Sequence, residues 1–179
     1  ETASGAAGGS GRASSSSSAD VQAPVDLNFA TFRLELAANR AFGASVRGFP
    51  STLILEKRSS EEQETQRQLL RYSNARLLVF SPKEGDWCLT VEGPPREGDA
   101  ILITQVHPGK AAAQLLDWIP SSKAATTIGR LVLRSHPVWC LAVSGSATTD
   151  GAQFELQQIS TLPEDTTRQL FHLPVWLVN

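Results

Sequence analysis

The 179-residue chain has no methionine, one tyrosine, two cysteines and three histidines, and each shortage narrows what it can be. Two thiols cannot build the multi-bridge framework that small secreted domains use in place of a core. The histidines fall at unrelated positions, His107 and His136 in His-Pro turns and His172 elsewhere, with no spacing that sets two on one face as metal ligands. No Gly-x-Ser-x-Gly turn, phosphate-cradling glycine loop or cysteine beside a histidine occurs. No residues are therefore assigned to catalysis, to a metal or to a cofactor, and the chain does not read as an enzyme. Charge of one sign is lacking too: 16 Lys and Arg stand against 18 Asp and Glu, a net of −2, with the basic residues scattered. Such a balance gives no field to hold a polyanion, so nucleic acid is not an expected partner. No apolar run approaches the roughly 20 residues that span a bilayer, and the hydrophobic stretch 174–178 is far too short. With Glu1 first and no methionine, the expectation is a chain from which a leading segment has been removed.

What is present is repetition. Asp86-Trp87-Cys88-Leu89-Thr90-Val91-Glu92-Gly93 returns as Val138-Trp139-Cys140-Leu141-Ala142-Val143-Ser144-Gly145, and a worn copy, Ala41-Phe42-Gly43-Ala44-Ser45-Val46-Arg47-Gly48, precedes both. Gly48, Gly93 and Gly145 lie 45 and 52 residues apart. Upstream of each copy sits an Arg-Leu strand start, Arg33-Leu34, Arg76-Leu77 and Arg130-Leu131. Downstream comes a short apolar run holding Leu53, Ile101 or Phe154, then a glutamine with apolar followers: Gln68-Leu69-Leu70, Gln114-Leu115-Leu116 and Gln169-Leu170-Phe171. Each unit thus carries four short strands. Self-similarity in fixed order at about 40 to 50 residues marks units that cannot bury their apolar faces alone and must share a core.

Taken in order, residues 1–20 are mostly Ala, Gly and Ser with a single arginine, Arg12, too little apolar surface to offset the entropy of ordering. Residues 1–26 are read as a low-complexity arm or linker, and 27–179 as one domain with repeats at about 28–74, 75–127 and 128–174 and a short tail. The first strand is expected to begin near Asn28. Phe32, Leu34 and Leu36 then alternate with Arg33 and Glu35, the period-2 pattern of a half-buried strand. The charged insertion 56–67 reads as a solvated loop or one short surface helix. Prolines fall between strands, in turns that include 81–85, 93–95, 107–109, 135–137 and 160–165. Helical periodicity is nowhere sustained, so almost no helix is expected. The predicted core comprises Leu34, Val46, Leu53, Leu70, Leu77, Leu89, Val91, Ile101, Leu116, Leu131, Leu141, Val143, Phe154 and Phe171.

Twelve short strands in three like units point to a closed barrel capped by hairpins. The order Trp-Cys-Leu-x-Val-x-Gly, strand, Gln-x-apolar resembles the β-trefoil domains of the ricin B-chain type, whose repeats read Cys-Leu-Asp-Val-x-Gly and later Gln-x-Trp. The resemblance covers about residues 28–174 and implies an all-β, β-trefoil fold with three pseudo-threefold repeats. Leu70, Leu116 and Phe171 replace the tryptophan as apolar plugs. In sugar-binding members the residue two after the cysteine is an aspartate that accepts from sugar hydroxyls; here those positions hold Ser45, Thr90 and Ala142. A short hydroxyl cannot offer a charged bidentate acceptor. The least damaged pocket belongs to the second unit, with Thr90, Glu92, Gln105 and His107 as its lining.

Cys88 and Cys140 occupy equivalent places in units related by the pseudo-threefold, too far apart to be bridged, and are expected as buried free thiols. That, with the lack of any Asn-x-Ser/Thr sequon, leans toward a reducing compartment such as cytosol, plastid stroma or mitochondrial matrix. Trp87 and Trp139, repeated beside Phe42, read as packing residues. Trp118 and Trp176 lack evident repeat partners and are the candidate interface anchors. The functional expectation is a non-catalytic protein-interaction module, an accessory or scaffolding subunit of a larger assembly. The alternative is a carbohydrate-binding, lectin-like module.

Overall fold

In the computed structural model residues 31–47, 52–61, 66–79, 85–146 and 149–173 are described. The first unit supplies β1 (Thr31–Phe32), β2 (Glu35–Leu36), β3 (Asn39–Val46), β4 (Leu53–Lys57) and β5 (Leu70–Ser73). β1 and β2 are two halves of one strand, and the register against β3 shifts between Glu35 and Leu36. The second unit has β6 (Arg76–Val79), β7 (Trp87–Thr90), β8 (Leu102–Gln105) and β9 (Leu116–Pro120). The third has β10 (Ile128–Leu133), β11 (Trp139–Val143), β12 (Phe154–Gln158) and β13 (Phe171–His172). Three units of four strands result, as the repeat requires.

The first and fourth strands of each unit build the barrel. Within units, β1 pairs with β5 and β10 with β13, and in the second unit Leu116 N–H donates to the Ala75 carbonyl at 2.7 Å. Between units, β5 pairs with β6, β9 with β10 and β13 with β2, which closes the ring. Closure leaves the barrel no open edge. The second and third strands form three antiparallel hairpins, β3–β4, β7–β8 and β11–β12. Single bridges, Thr52 to Leu102, Ile54 to Gln153 and Ala100 to Glu155, tie each hairpin to the other two. This is a β-trefoil.

Alternation explains the core. Leu89 and Val91, Leu141 and Val143, and their worn equivalents Ala44 and Val46 are all buried, as is every position predicted to be core. Trp87, Trp139 and Phe42 pack partly buried against that core. Phe154 and Phe171 stack with ring centroids 5.7 Å apart. Burying one such side chain stabilises by about 1.5–3 kcal/mol relative to leaving it in water.

Two expectations are corrected. Helix is not almost absent: a helical pair at residues 66–67, a 3-10 turn at Pro108–Lys110 running into α1 (Ala111–Gln114), and α2 (Pro163–Gln169) stand just ahead of β5, β9 and β13. The segment read as a turn at 160–165 is therefore the entry to a helix. Pro163 opens it, Glu164 and Asp165 occupy its first turn and Arg168 its last, an arrangement that complements the helix dipole. At seven residues it was too short to establish a period in the sequence. The arm at 1–26, the strand start near Asn28 and the tail beyond residue 173 lie outside the described residues.

Candidate functional site

Each unit carries the same polar device where its third strand leaves the cap. In the second unit Gln114 donates through Nε2 to the Gln105 carbonyl at 2.9 Å and accepts at Oε1 from His107 N–H at 3.1 Å. In the first, Gln68 donates to the Lys57 carbonyl at 3.0 Å and accepts from Ser59 N–H at 3.3 Å. In the third, Gln169 donates to the Gln158 carbonyl at 2.8 Å and accepts from Ser160 N–H at 3.0 Å. All three glutamines are buried. A side-chain amide carries a donor and an acceptor on separate atoms, so one glutamine serves a carbonyl and an N–H of the same loop at once. A second layer repeats as well: Ser59 Oγ, His107 Nδ1 and Ser160 Oγ each accept from the N–H two residues on, at Glu61, Gly109 and Leu162. His107 is thus the counterpart of two serines and works as a loop cap.

The symmetry breaks at the arginines. Arg33 and Arg130 each donate through Nη2 to the carbonyl of the capped residue, Ser59 at 3.2 Å and Ser160 at 3.0 Å. In the second unit the His107 carbonyl is taken instead by Lys110 N–H at 3.0 Å, because Pro108 starts a 3-10 turn there. The Nε of Arg76, the equivalent arginine, is buried without a partner among the described residues, as is the Nε of Arg130.

The expected sugar-pocket residues divide into an inner and an outer set. Thr90 is buried at 1% exposure. Its hydroxyl lies 2.7 Å from Thr104 Oγ1 and accepts from Gln114 Nε2 at 3.3 Å. Glu92, Gln105 and His107 are exposed around that knot, with Glu92 Oε1 3.9 Å from Lys110 Nζ. The structure brings the four to one end of the second unit, yet it seals the Thr90 hydroxyl inside. The equivalent Ser45 and Ala142 are also buried, both at 0%. Ser45 Oγ has no partner among the described residues.

Several titratable groups elsewhere are paired or shielded. Glu35 on β2 is buried, with Arg40 Nε 3.1 Å away, Arg58 Nη1 at 3.6 Å and, directly across the strand pair, His172 Nδ1 at 3.4 Å. Desolvation, reinforced by Arg40, pushes the His172 imidazole below its ordinary value despite the neighbouring carboxylate. Cys88 and Cys140 are free and buried. Burial pushes the Cys88 thiol up and the Cys140 thiol to about 12. A groove of about 540 Å³ beside β1, β5 and β6 has an apolar floor of Leu69, Leu70, Leu78 and Val79, and its two titratable groups, Arg71 and Asp86, pair with each other at 3.1 Å. Among the described residues no group of three His, Cys, Asp or Glu side chains is placed to hold a metal ion, and no helix is long and apolar enough to cross a membrane.

Trp118 requires correction. It is not an exposed interface anchor: its exposure is 0%, and its indole N–H donates to the Thr126 carbonyl at 3.2 Å. It stands two residues after Leu116 on β9 and so shares that residue's inward face. Tyr72 after Leu70 and Leu173 after Phe171, both buried, are its repeat partners. Size is exchanged with the residue ahead of each repeat arginine, where Gly129 leaves room for Trp118 while Phe32 and Ala75 stand in the other units. Trp176, the other anchor candidate, lies outside the described residues.

No family model matches the chain, and no curated protein matches it. Solved structures do. The designed three-fold symmetric protein ThreeFoil aligns with a TM-score of 0.62 at 16% identity, over 80% of this chain and 96% of that one. The Macrolepiota procera ricin B-like lectin, solved in complex with lactose, aligns with a TM-score of 0.59 at 15% identity, over 82% and 95%. The C-half of the earthworm R-type lectin, in complex with GalNAc, gives 0.56 at 14%, over 80% and 98%. At these identities the likeness speaks for the fold alone, a β-trefoil.

Proposed function

We propose that the chain is a non-catalytic binding module whose ligand is a protein, acting as an accessory or scaffolding subunit. The observation that carries this reading is the fate of the three positions where sugar-binding members of the fold place an aspartate. Ser45, Thr90 and Ala142 are all buried, none offers a carboxylate, and the Thr90 hydroxyl is spent on Gln114 and Thr104. Without a carboxylate, a hydroxyl pair has no charged bidentate acceptor to orient it. Three loops held by internal glutamines still make a rigid rim, and rigidity lowers the entropic cost of binding a macromolecule.

Carbohydrate binding is the second reading. It is favoured by the likeness to lectins solved with lactose and GalNAc and by Glu92, Gln105 and His107 standing exposed together. A glycan array probed with the intact chain separates the two. The protein reading expects no saturable signal; competable binding to any glycan replaces it with the lectin reading.

A further inference from the structure

The large hydrophobic side chains that stand exposed among the described residues are Val138 at 60%, Ile159 at 39% and Leu162 at 55%. They sit together. Ile159 N–H donates to the Val138 carbonyl at 2.9 Å, and Leu162 N–H closes the serine-capped loop that begins one residue after Ile159. The other units build the same backbone: Arg58 N–H donates to the Ala41 carbonyl at 2.7 Å and Val106 N–H to the Asp86 carbonyl at 2.9 Å, with Glu61 and Gly109 closing the loops. One structural position therefore reads Ala41, Arg58, Glu61 in the first unit and Asp86, Val106, Gly109 in the second. In the third it reads Val138, Ile159, Leu162. Folding does not demand an aliphatic side chain at all three places, since the other two units make the same hydrogen bonds with alanine, arginine and glutamate in one and aspartate, valine and glycine in the other.

Unpaired charge around the patch is in acidic excess. Glu97 Oε2 accepts from the N–H of Gln158, the residue before Ile159, at 3.0 Å, and Glu164 follows Leu162 by two residues. Neither pairs with a cation among the described residues; of the nearby cations Arg168 is paired with Asp165 at 2.5 Å, and Arg130, half-buried, keeps its charge but turns its guanidinium to the Ser160 carbonyl, so two carboxylates outnumber one unpaired cation. An aliphatic cluster between unneutralised carboxylates complements an apolar anchor flanked by basic residues.

We propose that Val138, Ile159 and Leu162 form a docking surface for a partner-protein segment that carries an apolar side chain flanked by lysine or arginine. This rests on the protein-binding reading above and adds to it the place and the partner chemistry. The test is an amide-resolved NMR titration of the intact chain with two synthetic peptides of the same apolar residues, one interleaved with lysine and the other with glutamate. The lysine peptide should give saturable shifts confined to residues around 138, 159 and 162. Leu162→Asp should weaken it at least tenfold without lowering the melting temperature, since aspartate is a favoured cap at this helix start, and Val138→Asp should repeat the loss of binding. The glutamate peptide should give none. Absent or dispersed shifts, or an equal response to both peptides, overturn the proposal. So does self-association by sedimentation that Val138→Asp abolishes, since the occupant is then a second copy. Silent peptides with a silent glycan array overturn the patch alone; silent peptides with saturable glycan binding overturn the protein reading as well.

Discussion

The Gln114 amide oxygen accepts the backbone N–H of His107 at 3.1 Å, and this contact converts the most ligand-like histidine of the chain into part of its frame. His107 in turn accepts from Gly109 N–H through Nδ1, a bond that leaves Nε2 the only ring nitrogen facing outward for a partner. The same position is serine in the other two units. Chemistry that looks special in one repeat becomes ordinary when the three are superposed.

Removing a glutamine clamp should cost stability in every unit, least in the first, where Gln68 makes only the two clamp bonds. Gln68→Leu, Gln114→Leu or Gln169→Leu each deletes the two clamp hydrogen bonds, worth about 1 kcal/mol apiece, and strands a loop carbonyl and N–H, for a loss of about 2–4 kcal/mol, to which Gln114→Leu adds the donations to Thr90 and Thr104 and Gln169→Leu the one to Gln157. Urea midpoints of the three variants measure it. A negligible loss in one unit would show that its loop is held by something else.

Much of the fold was legible because strand periodicity and repetition reinforce each other. Leu89 and Val91 are read as inward from alternation, and Leu141 and Val143 repeat the reading independently. The glutamine clamp was legible as a recurring letter but not as a bond, since its partners are backbone groups that every residue possesses. Trp118 was misread because it was sought as an identical residue in the other units. Volume is conserved there across strand pairs, with Tyr72 and Leu173 as its counterparts, and letters are not. The two-residue step from Leu116 was the signal available in the sequence. The exposed trio Val138, Ile159 and Leu162 could not be found from pattern, because only the paired backbone of Val138 and Ile159 brings the two segments together.

Gly129→Ala should be severely destabilising although glycine to alanine often helps a strand. The added Cβ would run into the Ile119 carbonyl and lie 2.9 Å from the Trp118 ring, and neither backbone nor a fully buried indole can give way. Overpacking of this kind costs about 1–3 kcal/mol or more. Trp118→Phe in the same chain should recover part of the loss, a non-additivity that a double-mutant cycle reads directly.

Acid should weaken the fold through His172. Its folded pKa is depressed by desolvation and by Arg40, so below the ordinary value of 6.5 the unfolded chain takes up a proton that the folded chain resists. The contribution to stability is intact above about pH 6.5 and is lost as pH falls toward the depressed folded value. Urea titrations between pH 7.5 and 5 should show that slope, and His172→Gln should flatten it. An unchanged slope in the variant would assign the acid sensitivity to other groups.

Both thiols should be protected, Cys140 the more strongly. With its pKa pushed to about 12 from 9.0, the thiolate fraction at pH 8 falls roughly a thousandfold before burial further blocks access. Mass spectrometry after timed alkylation should find Cys140 the last to react when folded and both cysteines equally fast in urea. Fast labelling of the folded chain at Cys140 would mean that the cap hairpin opens readily.

Thr90→Val tests whether the second unit keeps a working pocket. The hydroxyl is shared between Thr104 and Gln114 and is 1% exposed, while Gln114 Nε2 retains the Gln105 carbonyl when the hydroxyl is gone. The substitution is nearly isosteric and should cost about 2 kcal/mol, the net worth of the bonds to Thr104 and Gln114 that it removes. A sealed hydroxyl cannot touch a ligand, so whatever binds at this end of the molecule should bind the variant with unchanged affinity. If a sugar were held there by Thr90 in the manner of the aspartate it replaces, losing the acceptor would leave sugar hydroxyls unpaired and lower affinity by tenfold or more. Calorimetric titration of parent and variant with lactose and GalNAc, beside Gln105→Ala as a control on the exposed rim, distinguishes the cases. Binding that survives Thr90→Val but fails in Gln105→Ala places a site on the outer residues, whereas binding lost in Thr90→Val contradicts the sealed arrangement.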